Sequence, residues 1–111
     1  MRRVIIESPY AGDVQRHLKY LRACMRDCLV NRGESPFASH ALYTQPDVLD
    51  DKVVHERNLG ISAGFAWRRS ADLTVFYADC GWSSGMHAGY EDCIQKCLPF
   101  TIRLLGKDWD K

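Results

Sequence analysis

Asp72–Met86, DLTVFYADCGWSSGM, is the stretch that decides the fold. Leu73 to Tyr77 is an uncharged β-branched and aromatic run, which predicts a buried strand over Leu73–Ala78. Ser83-Ser84-Gly85 then supplies an N-cap and a tight turn, so a helix is expected from about Gly85 to Leu98. Pro99 ends it, and Phe100–Leu105 reads as a last strand before a polar tail, Gly106–Lys111. A strand running through a Gly/Ser loop into a helix leaves backbone N–H groups free at the helix start. In open α/β sheets the crevice at such strand ends is where ligands bind. A small oxygen-rich or anionic ligand suits that loop.

The rest of the chain repeats the pattern. Arg3–Glu7 reads as a first strand stopped by Ser8-Pro9-Tyr10-Ala11-Gly12, because Pro9 cannot continue a central strand. Asp13 caps a helix to about Arg32, with Val14, Leu18, Leu21, Met25 and Cys28 as its apolar stripe and Gly33 as its stop. Ser35–His40 holds the second strand, and Ala41–Asp51 reads as a long connection of the kind that often carries function. Asp50 or Asp51 caps a second helix to about Arg69, in which Gly60 and Gly64 imply close packing against the sheet or a partner subunit. Strands separated by helices imply parallel βαβ units with right-handed crossovers. The expected fold is one α/β domain over residues 1–111: an open, Rossmann-like or flavodoxin-like parallel sheet of about four strands, order 2-1-3-4, with helices on both faces. That order places the ends of strands one and three side by side, with Ser39 and His40 on the same rim.

Composition narrows the function classes. The 111 residues carry a net charge of +1, with 46% hydrophobic and 26% charged residues. This gives no drive toward nucleic acid or a membrane surface. No apolar run approaches the roughly 20 residues that span a bilayer, and Glu7 interrupts any signal-peptide core. A cytoplasmic protein is expected. The cysteines are 24, 28, 80, 93 and 97. Both i,i+4 pairs raise the question of zinc, but the spacing is not the usual two-residue knuckle and the two helices belong on opposite faces. Core packing is the expected role, with Cys93 and Cys97 on an apolar stripe alongside Met86, Gly89, Tyr90 and Ile94. No metal and no cofactor is expected. There is no Gly-x-x-x-x-Gly-Lys-[Ser/Thr] loop and no Gly-x-Gly-x-x-Gly, which disfavours NTPase and dinucleotide-dehydrogenase chemistry.

Three uses of the rim compete. Ser8, Ser39, Ser83 and Ser84 serve as caps and turns, with Tyr10 and Trp82 as packing. Alternatively Ser8, Pro9, Tyr10, Ser39, His40, Asp79, Trp82, Ser83, Ser84, Gly85 and Met86 surround a ligand, hydroxyls and helix-start N–H groups meeting a ribose or phosphate while an aromatic ring stacks on a base. The third use is catalysis, with Glu7, Asp79 or Glu56 near an oxocarbenium-like centre. His40 suits a general base or a satisfied structural histidine equally, and a Cys80 nucleophile beside it is a further option. His17 and His55 take no role, and His87 faces ligand or solvent.

Val4–Glu7 with Ser8-Pro9-Tyr10, Asp13 opening a helix, Glu56-Arg57 in the second helix, Ala71-Asp72 before strand three and Ser84-Gly85 before helix three resemble the nucleoside 2-deoxyribosyltransferase-like superfamily over residues 3–105. They resemble in particular a small branch frequent in tailed-phage and prophage genomes. The resemblance implies a flavodoxin-like or Rossmann-like fold, a nucleoside or nucleotide pocket at the strand ends, and homo-oligomers, dimeric or higher. It also implies a nucleophilic Glu four residues after the loop glycine, where this chain has Gly89, and a carboxylate two residues before it, where this chain has Ser83. Glu91, the nearest acid, lies about 200° around the helix from that position and points away. Glu7 or Glu56 is left as the substitute. The expectation is a nucleoside- or nucleotide-binding protein, such as a phage accessory protein, without membrane or specific nucleic-acid partners. The alternatives are an N-glycosidic hydrolase or transferase, and an interaction module inhibiting a host protein.

Overall fold

The computed structural model describes residues 1–111. Strand β1 (Arg2–Glu7) lies between β2 (Glu34–Phe37) and β3 (Leu73–Tyr77), and β4 (Phe100–Arg103) closes the other edge. All three pairings are parallel, and the order is β2-β1-β3-β4. Pro36 is tolerated because β2 is an edge strand, with an N–H needed on one side only.

Side chains alternate across the strands, so each strand feeds two cores. Val4, Ile6, Val75 and Tyr77 face helix α1 (Val14–Arg26) and pack with Tyr20, Leu21, Cys24 and Cys28. Phe76 faces the other way, onto Met86 and Cys93 of helix α4 (Ser84–Lys96). Helices therefore cover both faces. None is long and apolar enough to cross a membrane.

The helical stripe of α1 is rotated from its expected position. Tyr20 and Cys24 are fully buried, whereas Val14 and Met25 are only half-buried. Tyr20 can enter the core because its hydroxyl has a partner, donating to Asp79 Oδ1 at 2.5 Å. Asp13 caps α1 through the Arg16 N–H, and Asp27–Asn31 extends it as one π-helical turn before Gly33 reverses the chain at φ +61°.

Four local expectations are corrected. Ser39 and His40 are not in the second strand, which stops at Phe37; they open a short helix, α2 (Ser39–Tyr43), within the expected connection. Helix α3 (Val54–Ala66) starts after Val53, so neither Asp50 nor Asp51 is its cap, and a separate 3-10 turn, Arg68–Ser70, follows it. Gly60 and Gly64 admit neighbours of the same chain rather than the sheet. Added Cβ atoms there would lie 3.2 Å from Leu49 Cδ1 and 3.1 Å from Ser39 Cβ. Cys97 and Ile94 are exposed rather than on the apolar stripe, Cys97 ending α4 in the left-handed conformation. No three His, Cys, Asp or Glu side chains are grouped to hold a metal ion.

Candidate functional site

The C-terminal ends of β1, β2 and β3 open onto a crevice walled by α2, α3 and the start of α4. Its narrow end is a cavity of about 20 Å³ lined by Glu7, Ser39, His40, Ile61, Phe65 and Gly85. Ser39, His40 and Ile61 also line a second small cavity, which reaches Asp51, Glu56 and Arg57. Asp51 and Glu56 in turn border an open cleft of about 730 Å³ between Tyr10 and the segment from Thr44 to Lys52. Cleft volumes of this order accept drug-sized ligands.

Glu7 ends β1 with its side chain on the α4 face, and Arg68 holds it. Arg68 Nη2 donates to Glu7 Oε1 at 3.0 Å, Nη1 approaches Thr74 Oγ1 at 3.3 Å and Cys93 Sγ at 3.4 Å, and Nε lies 3.1 Å from Asp92 Oδ2. The guanidinium also covers the Phe65 ring at 4.6 Å. Lys96 returns one charge to Asp92 at 2.7 Å. Burial is the dominant influence on Glu7 and lifts its carboxyl to about 7, against the lowering effect of Arg68. A carboxylate in a dry environment with one shared cation is poised near neutrality.

Gly89 makes room for this arrangement. A Cβ at position 89 would lie 2.9 Å from Glu7 Oε2 and 3.3 Å from Arg68 Nη2. The absent side chain of α4 and the acid of β1 thus share one space. Glu91 is exposed on the outer face of α4.

The structure brings Glu7, Ser39, His40 and Gly85 to one cavity and disperses the other expected residues. His40 stacks on Tyr10 at 5.4 Å between centroids, and burial holds it below the ordinary histidine value. Tyr10 borders the open cleft, with its carbonyl against His17 Nδ1. Glu56 lies in the outer crevice, accepting the Asp50 N–H at 3.1 Å, and does not line the Glu7 cavity. Ser84 accepts from Arg57 at 3.4 Å, at the mouth of the crevice. Ser8 and Pro9 are buried and line none of the three cavities.

Four assignments to the ligand are redirected to packing and capping. Asp79 accepts from the Tyr20 hydroxyl and the N–H groups of Leu105 and Gly106. Burial raises its carboxyl, but these bonds outweigh that and hold it below the usual range. It anchors the tail, whose Trp109 packs edge-on to Tyr20. Trp82 stacks on Phe76 at 5.1 Å, in a cluster with Tyr90. The hydroxyl of Ser83 accepts the Met86 N–H as the helix cap, and the Met86 side chain is in the core. Cys80 faces the α1 core rather than His40, and burial raises its thiol.

No local sequence signal marks Arg68, since its ion pair with Glu7 spans 61 positions and leaves no period, and none marks Asp92, its second partner. Gly89 carried the one usable signal, a glycine inside a helical stripe.

Residues 2–103 match the family described as "Domain of unknown function (DUF7768)". The chain belongs to that family. No curated protein matches it. The DUF7768 match runs from the first residue of β1 to the last of β4, and so includes Glu7, Arg68 and Gly89. The tail carrying Trp109 lies outside it.

Proposed function

We propose that this chain binds a nucleoside- or nucleotide-like small molecule in the crevice at the ends of β1, β2 and β3. The observation that carries the reading is the continuity of the crevice. Residues shared between neighbouring cavities link the Glu7 and His40 end to a cleft of about 730 Å³. The Tyr10 ring at the cleft suits a base, and carboxylates at Asp51 and Glu56 suit sugar hydroxyls. The resemblance to nucleoside 2-deoxyribosyltransferase-like proteins points the same way.

A second reading, cleavage or transfer at an N-glycosidic bond, is favoured by one specific observation. Glu7 fills the space that Gly89 leaves open, and its carboxyl is lifted to about 7 in a cavity shared with His40. Perturbed acids in clefts are candidates for acid/base work.

Thermal-shift screening against the ribo- and deoxyribonucleosides and their monophosphates tests both, with mass spectrometry of each mixture. A ligand at a hundredfold excess over its Kd stabilises by about 2.7 kcal/mol. Stabilisation with intact ligand supports binding alone, and released base supports cleavage. If no member of the panel shifts the melting temperature or is cleaved, both readings fail. Glu7→Gln is expected to keep affinity while removing any turnover.

A further inference from the structure

We propose that the narrow cavity beside Glu7 holds a single water molecule, and that this water is the nucleophile of a hydrolytic reaction with Glu7 as its base. The inference rests on the glycosidic reading above and commits it to hydrolysis over transfer. A volume of about 20 Å³ accommodates about one water and no larger acceptor. A second nucleobase, the acceptor that a transferase needs, does not fit there.

The walls have the polarity a buried water requires. Glu7 Oε1 is taken by Arg68, whereas Oε2 has no hydrogen-bond partner in the chain. The neutral His40 ring supplies a second polar group. Ser39 is a third polar residue on the wall, and Gly85 borders it at the start of α4. Ile61 and Phe65 complete the lining with apolar surface. Three partners are the usual number for a buried water. Ser39, His40 and Ile61 border both this cavity and its neighbour, which sets the water between Glu7 and the space for a ligand.

The step balances without a co-reactant. The Glu7 carboxylate takes a proton from the water while the water oxygen bonds to the anomeric carbon. The carbon–nitrogen bond breaks and its electron pair leaves on the base. The leaving base takes its proton from solvent on the opposite face of the sugar, giving free base and free sugar, and Glu7 gives its proton up to solvent, which restores the carboxylate. Arg68 touches none of the reacting atoms. It is a positioning residue that fixes one carboxylate oxygen and leaves the other free.

Two measurements on the intact protein test this. A crystal structure at about 1.5 Å is expected to show one ordered water within hydrogen-bond distance of Glu7 and His40, retained in Glu7→Gln. A dry cavity overturns the site, whether or not nucleosides are cleaved. Cleavage of the nucleoside panel in ¹⁸O-water, with methanol and a second nucleobase as competing acceptors, is expected to place the label on the anomeric carbon with inverted configuration and no transfer product. Retention of configuration, or transfer to either acceptor, overturns the water's role while leaving the glycosidic reading intact. Absence of any cleavage overturns that reading and the role together.

Discussion

Two buried arginine–glutamate pairs sit on opposite faces of one small sheet, and they behave differently. On the α1 face, Arg103 meets Glu34 with two parallel bonds, 2.7 and 2.8 Å, and Arg2 adds a third at 2.6 Å. On the α4 face, Arg68 meets Glu7 with one bond of 3.0 Å and is shared with Asp92. Neither side chain is much exposed to solvent, Glu34 3% and Glu7 12%, but Glu7 lies deeper in the protein. Hydrogen bonding from Arg103 dominates at Glu34 and holds it down at about 2, whereas burial dominates at Glu7 and lifts it to about 7. Two cations on one carboxylate make a strut. One cation between two carboxylates leaves a group ready to exchange a proton, and only that group borders the crevice.

The comparison breaks most sharply by deleting each arginine. Arg103→Ala leaves Glu34 with Arg2 as its one remaining cation and removes a donor to the Tyr77 hydroxyl, so urea unfolding is expected to show a loss of about 3 kcal/mol. Arg68→Ala is expected to cost less at pH 6, because Glu7 can take up a proton and Asp92 keeps Lys96. The gap between the two variants should narrow at pH 8.5, where Glu7 has to remain charged. Equal losses at both pH values would show that the two pairs are the same kind of structure.

The pH dependence of the unaltered protein separates the pairs a second way. Glu34 has its folded value below its ordinary 4.5, so its contribution is present above that value and lost as pH falls toward about 2. Glu7 has its folded value above 4.5, so the folded state holds the extra proton. That contribution is complete below 4.5 and lost as pH rises through about 7. The Glu7 limb is worth on the order of 3 kcal/mol. Denaturation midpoints from pH 5 to 8.5 are expected to fall with pH more steeply in the parent than in Glu7→Gln, where His40, held below its ordinary value by burial, contributes a rise with pH instead. A parallel decline in both would assign the limb to another group.

What the sequence made legible follows the same division. The parallel order and the two-faced sheet were readable because Val4–Ile6 and Leu73–Tyr77 carry their strand signal locally, and helices between them force crossovers. Helix α2 was not readable, since Ser39–Tyr43 has only five residues and no side-chain cap. At the site, Glu7 was visible as an acid at a strand end and His40 as its neighbour on the rim. Asp79 is an equivalent acid by position, but three donors from α1 and the tail engage both its oxygens. Whether a strand-end acid faces a ligand or ties down a tail depends on contacts made far along the chain, and no local pattern records them.

The smallest expected effect is the most diagnostic. Replacing glycine by alanine within a helix ordinarily gains about 1 kcal/mol. At position 89 the new methyl would meet the Glu7 carboxylate at 2.9 Å, and Arg68 pins that carboxylate in place. Gly89→Ala is therefore expected to forfeit the helical gain and to give a net loss of about 1 kcal/mol. In a Glu7→Ala background the carboxylate contact is gone and only Arg68 Nη2, at 3.3 Å and no longer held by Glu7, stands close, so the same change is expected to stabilise by about 0.5 kcal/mol. Gly85 offers the control within α4, its nearest neighbour being Ser83 Oγ at 3.8 Å, so alanine there meets no clash in either background. The sign reversal at 89, absent at 85, would show that one space serves both the glycine of α4 and the acid of β1. A Gly89→Ala cost unchanged by removing Glu7 would mean that the glycine is there for some other reason, and the poised pair would lose its structural cause.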